Sequence, residues 1–169
     1  MRWGEAADRM KKGLLFGAII ILILLAAVLL FSGGSNASNF ESINSIKGDI
    51  EIYKSLTCGC CDVYSGYVDG RVLPEVKIFD IQDSDKIKRQ YGVPSGLQSC
   101  HTTIIGGYFV EGHMPLEAVD KLLAEKPAIK GIALPGMPMG SPGMPGSKSG
   151  AFVIYAVNND GTYDEFMRI

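Results

Sequence analysis

The sequence predicts an α/β domain with a mixed β-sheet, and two observations support that prediction. The first is the order of the expected elements from residue 49 onwards, which runs strand, helix, strand, helix, strand, strand, helix. The second is the place of a cysteine-rich segment, residues 55–64 (SLTCGCCDVY), directly after the first strand. A strand–helix–strand unit makes its two strands parallel, and a hairpin adds antiparallel strands, so the expected sheet is mixed.

Each element has its own signal in the sequence. Strands are indicated by alternating polar and apolar side chains or by β-branched residues, at residues 49–54, 76–81, 102–105 and 108–111. Helices are indicated by capping residues, by composition or by one apolar face, at residues 62–70, 83–91 and 115–125. Gly106 and Gly107 predict a tight hairpin turn, and residues 151–157 and 162–168 predict a second hairpin at the C-terminus.

The cysteines place a reactive site on this arrangement. Cys58, Cys60 and Cys61 follow the first strand at the start of the first helix, where a thioredoxin-like fold carries its reactive cysteines. In that fold the loop before the hairpin faces them, and here the loop holds Cys100 and His101. We therefore expect a thioredoxin-like mixed sheet with flanking helices and an added C-terminal β-hairpin.

Four thiols at one end of a sheet leave several chemistries open. Cys58 and Cys61 have the C-x-x-C spacing of a redox pair, but a dithiol cycle needs only two sulfurs. Crowded thiolates repel one another unless a cation lies among them, and soft sulfur favours Cu(I), with zinc as the weaker alternative. Plain structural disulfides are a third reading, because cysteines outside the cytoplasm commonly pair.

A second group of soft ligands follows the last helix. Three methionines lie among glycines and prolines in the methionine segment, residues 136–146 (GMPMGSPGMPG): Met137, Met139 and Met144. Thioether sulfur prefers Cu(I) and is a poor zinc ligand, so this segment favours copper; the alternative is that these methionines are adaptable apolar side chains. His113 and Met114, just before the helix at residues 115–125, complete the candidate metal ligands.

The N-terminus predicts a membrane anchor. Residues 13–31 (GLLFGAIIILILLAAVLLF) carry no charge, and about 20 apolar residues cross a bilayer. A cleaved signal peptide has a shorter apolar stretch, of about 7–15 residues, and a small-residue cleavage site. Basic residues precede the segment: Arg2, Arg9, Lys11 and Lys12. The positive-inside rule therefore predicts a single-pass protein of the cell membrane with a cytoplasmic N-terminus.

Composition then divides the chain into four parts. We expect a cytoplasmic N-terminus at residues 1–12, the transmembrane anchor at 13–31, a Ser/Asn/Gly-rich linker at 32–47 and the metal-binding domain at 48–169, outside the membrane. The net charge is −2 and no long run of lysine and arginine occurs, which argues against nucleic acid as a partner.

Three motifs, in this order, make the chain similar to a known family: YKSLTCGCC, YGVPSGLQSCHTTIIGGYFVEGHMP and LPGMPMGSPGM. It resembles the family of small metal-binding proteins, formerly a domain of unknown function, that includes the periplasmic copper-resistance protein CopG. The resemblance covers residues 50–169 and implies a thioredoxin-like fold, copper handling, and partners such as a copper exporter or a periplasmic copper chaperone. It implies these metal and redox residues: Cys58, Cys60, Cys61 and Cys100, supported by His101, His113 and the loop methionines.

Two functions follow as expectations. One is a membrane-anchored protein that binds Cu(I) outside the membrane for copper handling or resistance. The other is a thiol–disulfide or copper-dependent oxidoreductase in which Cys58 and Cys61 are the catalytic pair. Copper and a disulfide compete for the same sulfurs, so one protein can combine both.

Overall fold

The computed structural model describes residues 40–169. The predicted cytoplasmic N-terminus at residues 1–12, the predicted anchor at 13–31 and the first half of the predicted linker, residues 32–39, lie outside the described residues. Across residues 40–169, no helix has both the length and the apolar character that a bilayer crossing requires.

Seven strands and four helices make up the described part of the chain. In chain order they are α1 (Glu41–Asn44), β1 (Ile50–Ser55), α2 (Gly59–Asp69), β2 (Val76–Ile81), α3 (Ser84–Tyr91), a 3₁₀ turn (Ser95–Leu97), β3 (His101–Ile105), β4 (Tyr108–Glu111), α4 (Leu116–Glu125), β5 (Ile129–Ala133), β6 (Val153–Asn158) and β7 (Tyr163–Arg168).

The strands form one mixed sheet in the order β2-β1-β3-β4-β5-β6-β7. β1 runs parallel to β2 and β4 parallel to β5, while the other neighbouring pairs are antiparallel. The prediction of a mixed α/β fold with flanking helices and a C-terminal hairpin is therefore confirmed. β5, which lies between β4 and that hairpin, was not predicted from the sequence.

Helices and turns cover both faces of the sheet. On one face α2 and α4 pack over the larger apolar core, which includes Ile50, Ile52 and Leu122. On the other face lies a smaller cluster around Leu97 and Phe109. Successive strand residues point to opposite faces, which explains how both clusters draw on the same strands.

The folded domain begins before Lys47. Phe40 and Ile43 are 8% and 0% exposed and belong to the larger core. The Asp120 carboxylate of α4 accepts hydrogen bonds from the backbone N–H groups of Ser42 and Ile43, at 2.9 and 3.1 Å. Residues that composition alone assigns to the linker are thus tied to the domain.

The strand directions bring four connections to one end of the sheet. Lys54 pairs with His101, Thr102 pairs with Glu111, and Glu111 pairs with Ala133. The end of β1, the start of β3 and the ends of β4 and β5 therefore lie side by side. The segments that leave these ends contain all of the candidate metal ligands.

Candidate metal centre

The first half of the centre is the start of α2. Cys58 is the N-cap of this helix, and its carbonyl oxygen accepts hydrogen bonds from the N–H groups of Cys61 and Asp62. The i, i+3 spacing in this first turn brings Cys58 and Cys61 together, and they form a disulfide. Cys60 is a free thiol, with its Sγ 3.5 Å from the Sγ of Cys58.

A buried lysine holds this first turn against the sheet. Lys54 of β1 has a side chain that is 5% exposed, and its Nζ lies 2.8 Å from the carboxylate of Asp62 and 2.5 Å from that of Asp80. Hydrogen bonds to these two carboxylates raise the pKa of Lys54, so it stays charged. The ion pair ties α2 to β1 directly beside the cysteines.

The second half of the centre is formed around Cys100. Its Sγ lies 3.0 Å from Nε2 of His113 and 3.3 Å from Nδ1 of His101. Nδ1 of His113 lies 2.6 Å from the carbonyl oxygen of Pro142, in the methionine segment. A carbonyl only accepts, so Nδ1 carries the proton and the neutral ring presents an unprotonated Nε2 towards Cys100.

Burial controls the protonation of these groups. Both imidazoles are fully buried, and loss of solvation lowers the pKa of His101 and of His113. They are therefore neutral, the form that ligates metals. Burial, followed by the nearby Cys60, raises the pKa of Cys100 to about 11, so its thiol is protonated at neutral pH. A metal ion would have to displace that proton to bind the sulfur.

The thiols and imidazoles form two overlapping groups of ligand atoms. One consists of Cys58, Cys60, Cys61 and Cys100, and the other of Cys61, Cys100, His101 and His113. Within each group all ligand atoms lie within 4.8 Å of one another. Cys61 and Cys100 belong to both groups, so the structure brings six of the predicted site residues into one connected centre.

Tyr64 closes this centre on the helix side and is not among the residues predicted from the sequence. Its ring centroid lies 4.3 Å from that of His101 and 5.5 Å from that of His113. Its hydroxyl donates a hydrogen bond to the carbonyl oxygen of Met114, at 3.2 Å. Tyr64 comes one helical turn after Cys60, and that spacing is the signal that could have identified it.

The candidate methionines occupy three different environments. Met114 is 0% exposed and packs in the larger apolar core. Met137 and Met139 are exposed, at 49% and 62%. Met144 is partly buried and follows Gly143. Their role as metal ligands stays a prediction.

The methionine segment is nevertheless docked on the cysteine helix. Gly143 has a φ of +81°, and a Cβ at this position would lie 2.8 Å from the backbone nitrogen of Tyr64 and 3.0 Å from the carbonyl oxygen of Cys60. Only glycine fits this contact without strain. Together with the bond from His113 to Pro142, it places residues 142–143 beside both halves of the centre.

Comparisons with known proteins found a family match and similar solved structures. The family described as "Protein of unknown function, DUF411" matches residues 97–144, which include Cys100, both histidines and most of the methionine segment. Two solved structures, "Copper resistance protein copG- Form 1" and Form 2, are each 32% identical to this chain, with a TM-score of 0.65. They match 73% and 72% of this chain and 98% and 97% of their own chains. A search of curated proteins found no match.

Proposed function

Because this chain belongs to the DUF411 family, which includes the copper resistance protein CopG, we propose that it binds copper and functions in copper handling or resistance. The finer part of the proposal is a single-pass membrane protein with a cytoplasmic N-terminus, whose thioredoxin-like domain holds Cu(I) outside the membrane. The first four strands, in the order β2-β1-β3-β4, support the thioredoxin-like assignment. For such a role in copper handling we propose a copper exporter or a periplasmic copper chaperone as the partner.

The observation on which the proposal rests is the pair of overlapping ligand groups. Six side chains with sulfur or nitrogen ligand atoms converge, and no carboxylate belongs to either group. Such a set suits soft and borderline ions and gives no preference to hard ions such as Mg²⁺ or Ca²⁺. The copper resistance relatives and the adjacent methionine segment favour Cu(I) over zinc within that range.

The imidazole nitrogens of His101 and His113 are suited to bind a metal ion. Nε2 of His101 is buried and has no hydrogen-bond partner among the described residues. Leaving a buried polar atom unpaired costs about 1–3 kcal/mol. A ligand bond would offset that cost. Nε2 of His113 accepts a hydrogen bond from the Cys100 thiol, at 3.0 Å, so loss of that proton would free both atoms for an ion.

The disulfide determines when the cysteine group is available. While Cys58 and Cys61 are bonded to each other, only Cys60 and Cys100 are free thiols. Reduction of the disulfide by two electrons and two protons gives four free thiols. We therefore expect tight Cu(I) binding by the reduced chain and weaker binding by the oxidised chain.

Metal competition tests this proposal. The purified full-length chain, reduced without oxygen, is titrated with Cu(I) against a Cu(I) chelator and then challenged with Zn(II); the same chain with its disulfide intact is the matched control. We expect Cu(I) to displace Zn(II) and the oxidised control to bind less Cu(I). Retention of zinc equal to that of copper would contradict the copper assignment.

The membrane part of the proposal has a separate test. Alkaline carbonate should leave the full-length chain in the membrane fraction and should release a chain that lacks residues 1–31. Release of both chains would contradict an anchor at residues 13–31, whatever the metal result.

The disulfide itself supports a second candidate function, a thiol–disulfide oxidoreductase. Cys58 is partly exposed at the helix start, whereas Cys61 is fully buried, so one sulfur is open to a substrate and the other is placed to resolve the intermediate. In that reaction the Cys58 thiolate attacks a substrate disulfide and releases one thiol, and Cys61 then displaces the second. The two protein thiols lose two electrons and two protons, the substrate disulfide gains them, and an external thiol donor restores the dithiol.

An insulin-reduction assay of the metal-free chain distinguishes the two candidates. An oxidoreductase keeps activity in Cys60→Ser and loses it in Cys58→Ser, because only Cys58 and Cys61 exchange electrons. A copper carrier shows no activity even in the parent chain, while every cysteine variant binds copper less tightly.

A further inference from the structure

A buried ion pair lies beneath the loop that carries Cys100. Glu111, at the end of β4, and Lys88 of α3 have side chains that are 0% and 3% exposed, and Nζ of Lys88 lies 2.5 Å from Oε1 of Glu111. His101 and Thr102 point to opposite faces of the sheet, because they are successive strand residues. The ion pair contacts Thr102, so it lies across the sheet from the His101 ring.

Glu111 accepts hydrogen bonds from the Cys100 loop as well as from Lys88. Oε1 accepts the backbone N–H of Ser99, at 2.6 Å, and Oε2 accepts the hydroxyl of Thr102, also at 2.6 Å. A buried ion pair is weak evidence for stability, because the loss of solvation offsets the attraction between the charges. What this network fixes is the position of Ser99.

Ser99 joins three segments of the metal centre. It precedes Cys100, and its hydroxyl donates a hydrogen bond to the carbonyl oxygen of Gly136, at the start of the methionine segment. A Cβ at Gly112 would lie 2.8 Å from the Cβ of Ser99, and Gly112 has a φ of +84°, so the chain before His113 packs closely on Ser99. A shift of Ser99 would therefore move Cys100, His113 and the methionine segment relative to one another.

We propose that Glu111 is a positioning residue for the metal centre, which holds the Cys100 loop in place by accepting the N–H of Ser99. The centre's buried half is thus arranged before an ion arrives. This inference rests on the proposed copper function for its metal readout. Groups that orient metal ligands from outside typically change metal affinity by about 10–100-fold when they are replaced, and we expect an effect of that size here.

Two double variants of the full-length chain separate the hydrogen bond from the charge. Lys88→Met with Glu111→Gln removes both charges but keeps a side-chain oxygen that accepts the Ser99 N–H. Lys88→Met with Glu111→Leu removes both charges and the acceptor. The two variants differ only at residue 111, where glutamine can pair with the N–H of Ser99 and with the hydroxyl of Thr102 and leucine can pair with neither. The Ser99 amide is therefore measured directly.

Three measurements follow the position of the loop. The first is hydrogen exchange at the Ser99 amide, and the second is the rate at which iodoacetamide labels Cys100 relative to Cys60 while the disulfide is intact. Both are made without metal, and Cys60 is the internal control because it lies on the other half of the centre. The third is the Cu(I) affinity of the reduced chain.

The leucine variant should exchange the Ser99 amide faster, label Cys100 faster and bind Cu(I) about 10–100-fold more weakly, while the glutamine variant stays close to the parent. Parent-like behaviour of the leucine variant would overturn the proposal. Equal losses in both variants would also overturn it, because the acceptor would then be irrelevant. If the parent itself bound no copper, the proposed function would fail, and the two metal-free measurements would still decide the role of Glu111.

A single-residue comparison keeps the test decisive if the leucine variant does not fold. Ser99→Pro lacks the N–H that Glu111 accepts, and Ser99→Ala keeps it; both retain the ion pair and lose the hydroxyl. Gln98 has φ −68° and ψ 146°, which suits a residue before proline. Weaker Cu(I) binding by the proline variant than by the alanine variant is expected, and equal binding would overturn the proposal.

Discussion

Replacing Gly143 by alanine should lift the methionine segment off α2 and weaken copper binding while the rest of the domain stays folded. The new Cβ would lie 2.8 Å from the backbone nitrogen of Tyr64 and 3.0 Å from the carbonyl oxygen of Cys60. Both are backbone atoms in the first turns of a helix, so neither can rotate away as a side chain would. The segment itself must move.

The size of the effect follows from two costs. An L-residue in the left-handed region costs about 1–2 kcal/mol, and an added carbon in a closely packed contact costs about 1–3 kcal/mol. Docking of the segment should therefore weaken by about 2–5 kcal/mol. Pro142 precedes Gly143, so the hydrogen bond from Nδ1 of His113 is lost with the contact, and the ring is no longer held with Nε2 towards Cys100.

Gly150→Ala is the matched control. A Cβ at Gly150 meets nothing within 4 Å, and this glycine does not have a positive φ. Thermal unfolding and Cu(I) competition are measured on the parent and on both full-length variants. We expect Gly143→Ala to bind Cu(I) about 10–100-fold more weakly, as for other groups that orient ligands, and Gly150→Ala to match the parent. Equal Cu(I) affinity of the two variants would refute the docking argument.

Two further predictions concern the cysteines and the domain boundary. Cys100→Ser should lower bound copper about as much as Cys60→Ser, because both thiols belong to the same ligand group; parent-like binding by the Cys100 variant alone would contradict the geometry. Asp120→Ala should lower the unfolding free energy by about 1–3 kcal/mol, because the partly buried N–H groups of Ser42 and Ile43 lose a charged acceptor. Chemical denaturation measures this loss, and an unchanged midpoint would show that these two hydrogen bonds do not contribute to stability.

Local patterns predicted most of the sheet, and the exception has a local reason. β1, β2, β3 and β4 follow from alternation, β-branched residues and the Gly106-Gly107 turn. β5 (Ile129–Ala133, IKGIA) is a short run interrupted by Gly131. Its strand conformation depends on β4 and β6 on either side, and a side chain at Gly131 would collide with Phe109. The pairing of β5 with strands distant in sequence cannot be predicted from a five-residue pattern.

The sequence placed the right residue types at one end of the sheet but could not supply their orientation. The four cysteines and two histidines converge as the predicted order of elements requires. His113 and Met114 are neighbours in sequence, yet the first faces Cys100 and the second is buried in the apolar core. Gly112, just before His113, has a positive φ, so this segment is not a regular strand or helix. The direction of each side chain in such a turn cannot be predicted from its position in the sequence.

The groups that fix the centre are separated widely in sequence, which is why no motif reveals them. Pro142 contacts His113 across 29 positions, and Lys88 contacts Glu111 across 23. Each residue taken alone has an ordinary role, as a loop proline or as a charged surface residue. Their effect arises only when the fold joins the loops.

The two halves of the centre are held by different means, and this difference bears on its chemistry. Cys100, His101 and His113 are held by burial and hydrogen bonds, and none of the three takes part in the disulfide. Cys58 and Cys61 are bonded to each other, and their thiols are free only after two electrons open this disulfide. Because Cys61 belongs to both ligand groups, reduction adds sulfur to each group at once. The proposed copper binding and the disulfide therefore compete for the same sulfur atom, and a measurement of either is interpretable only when the state of the other is known.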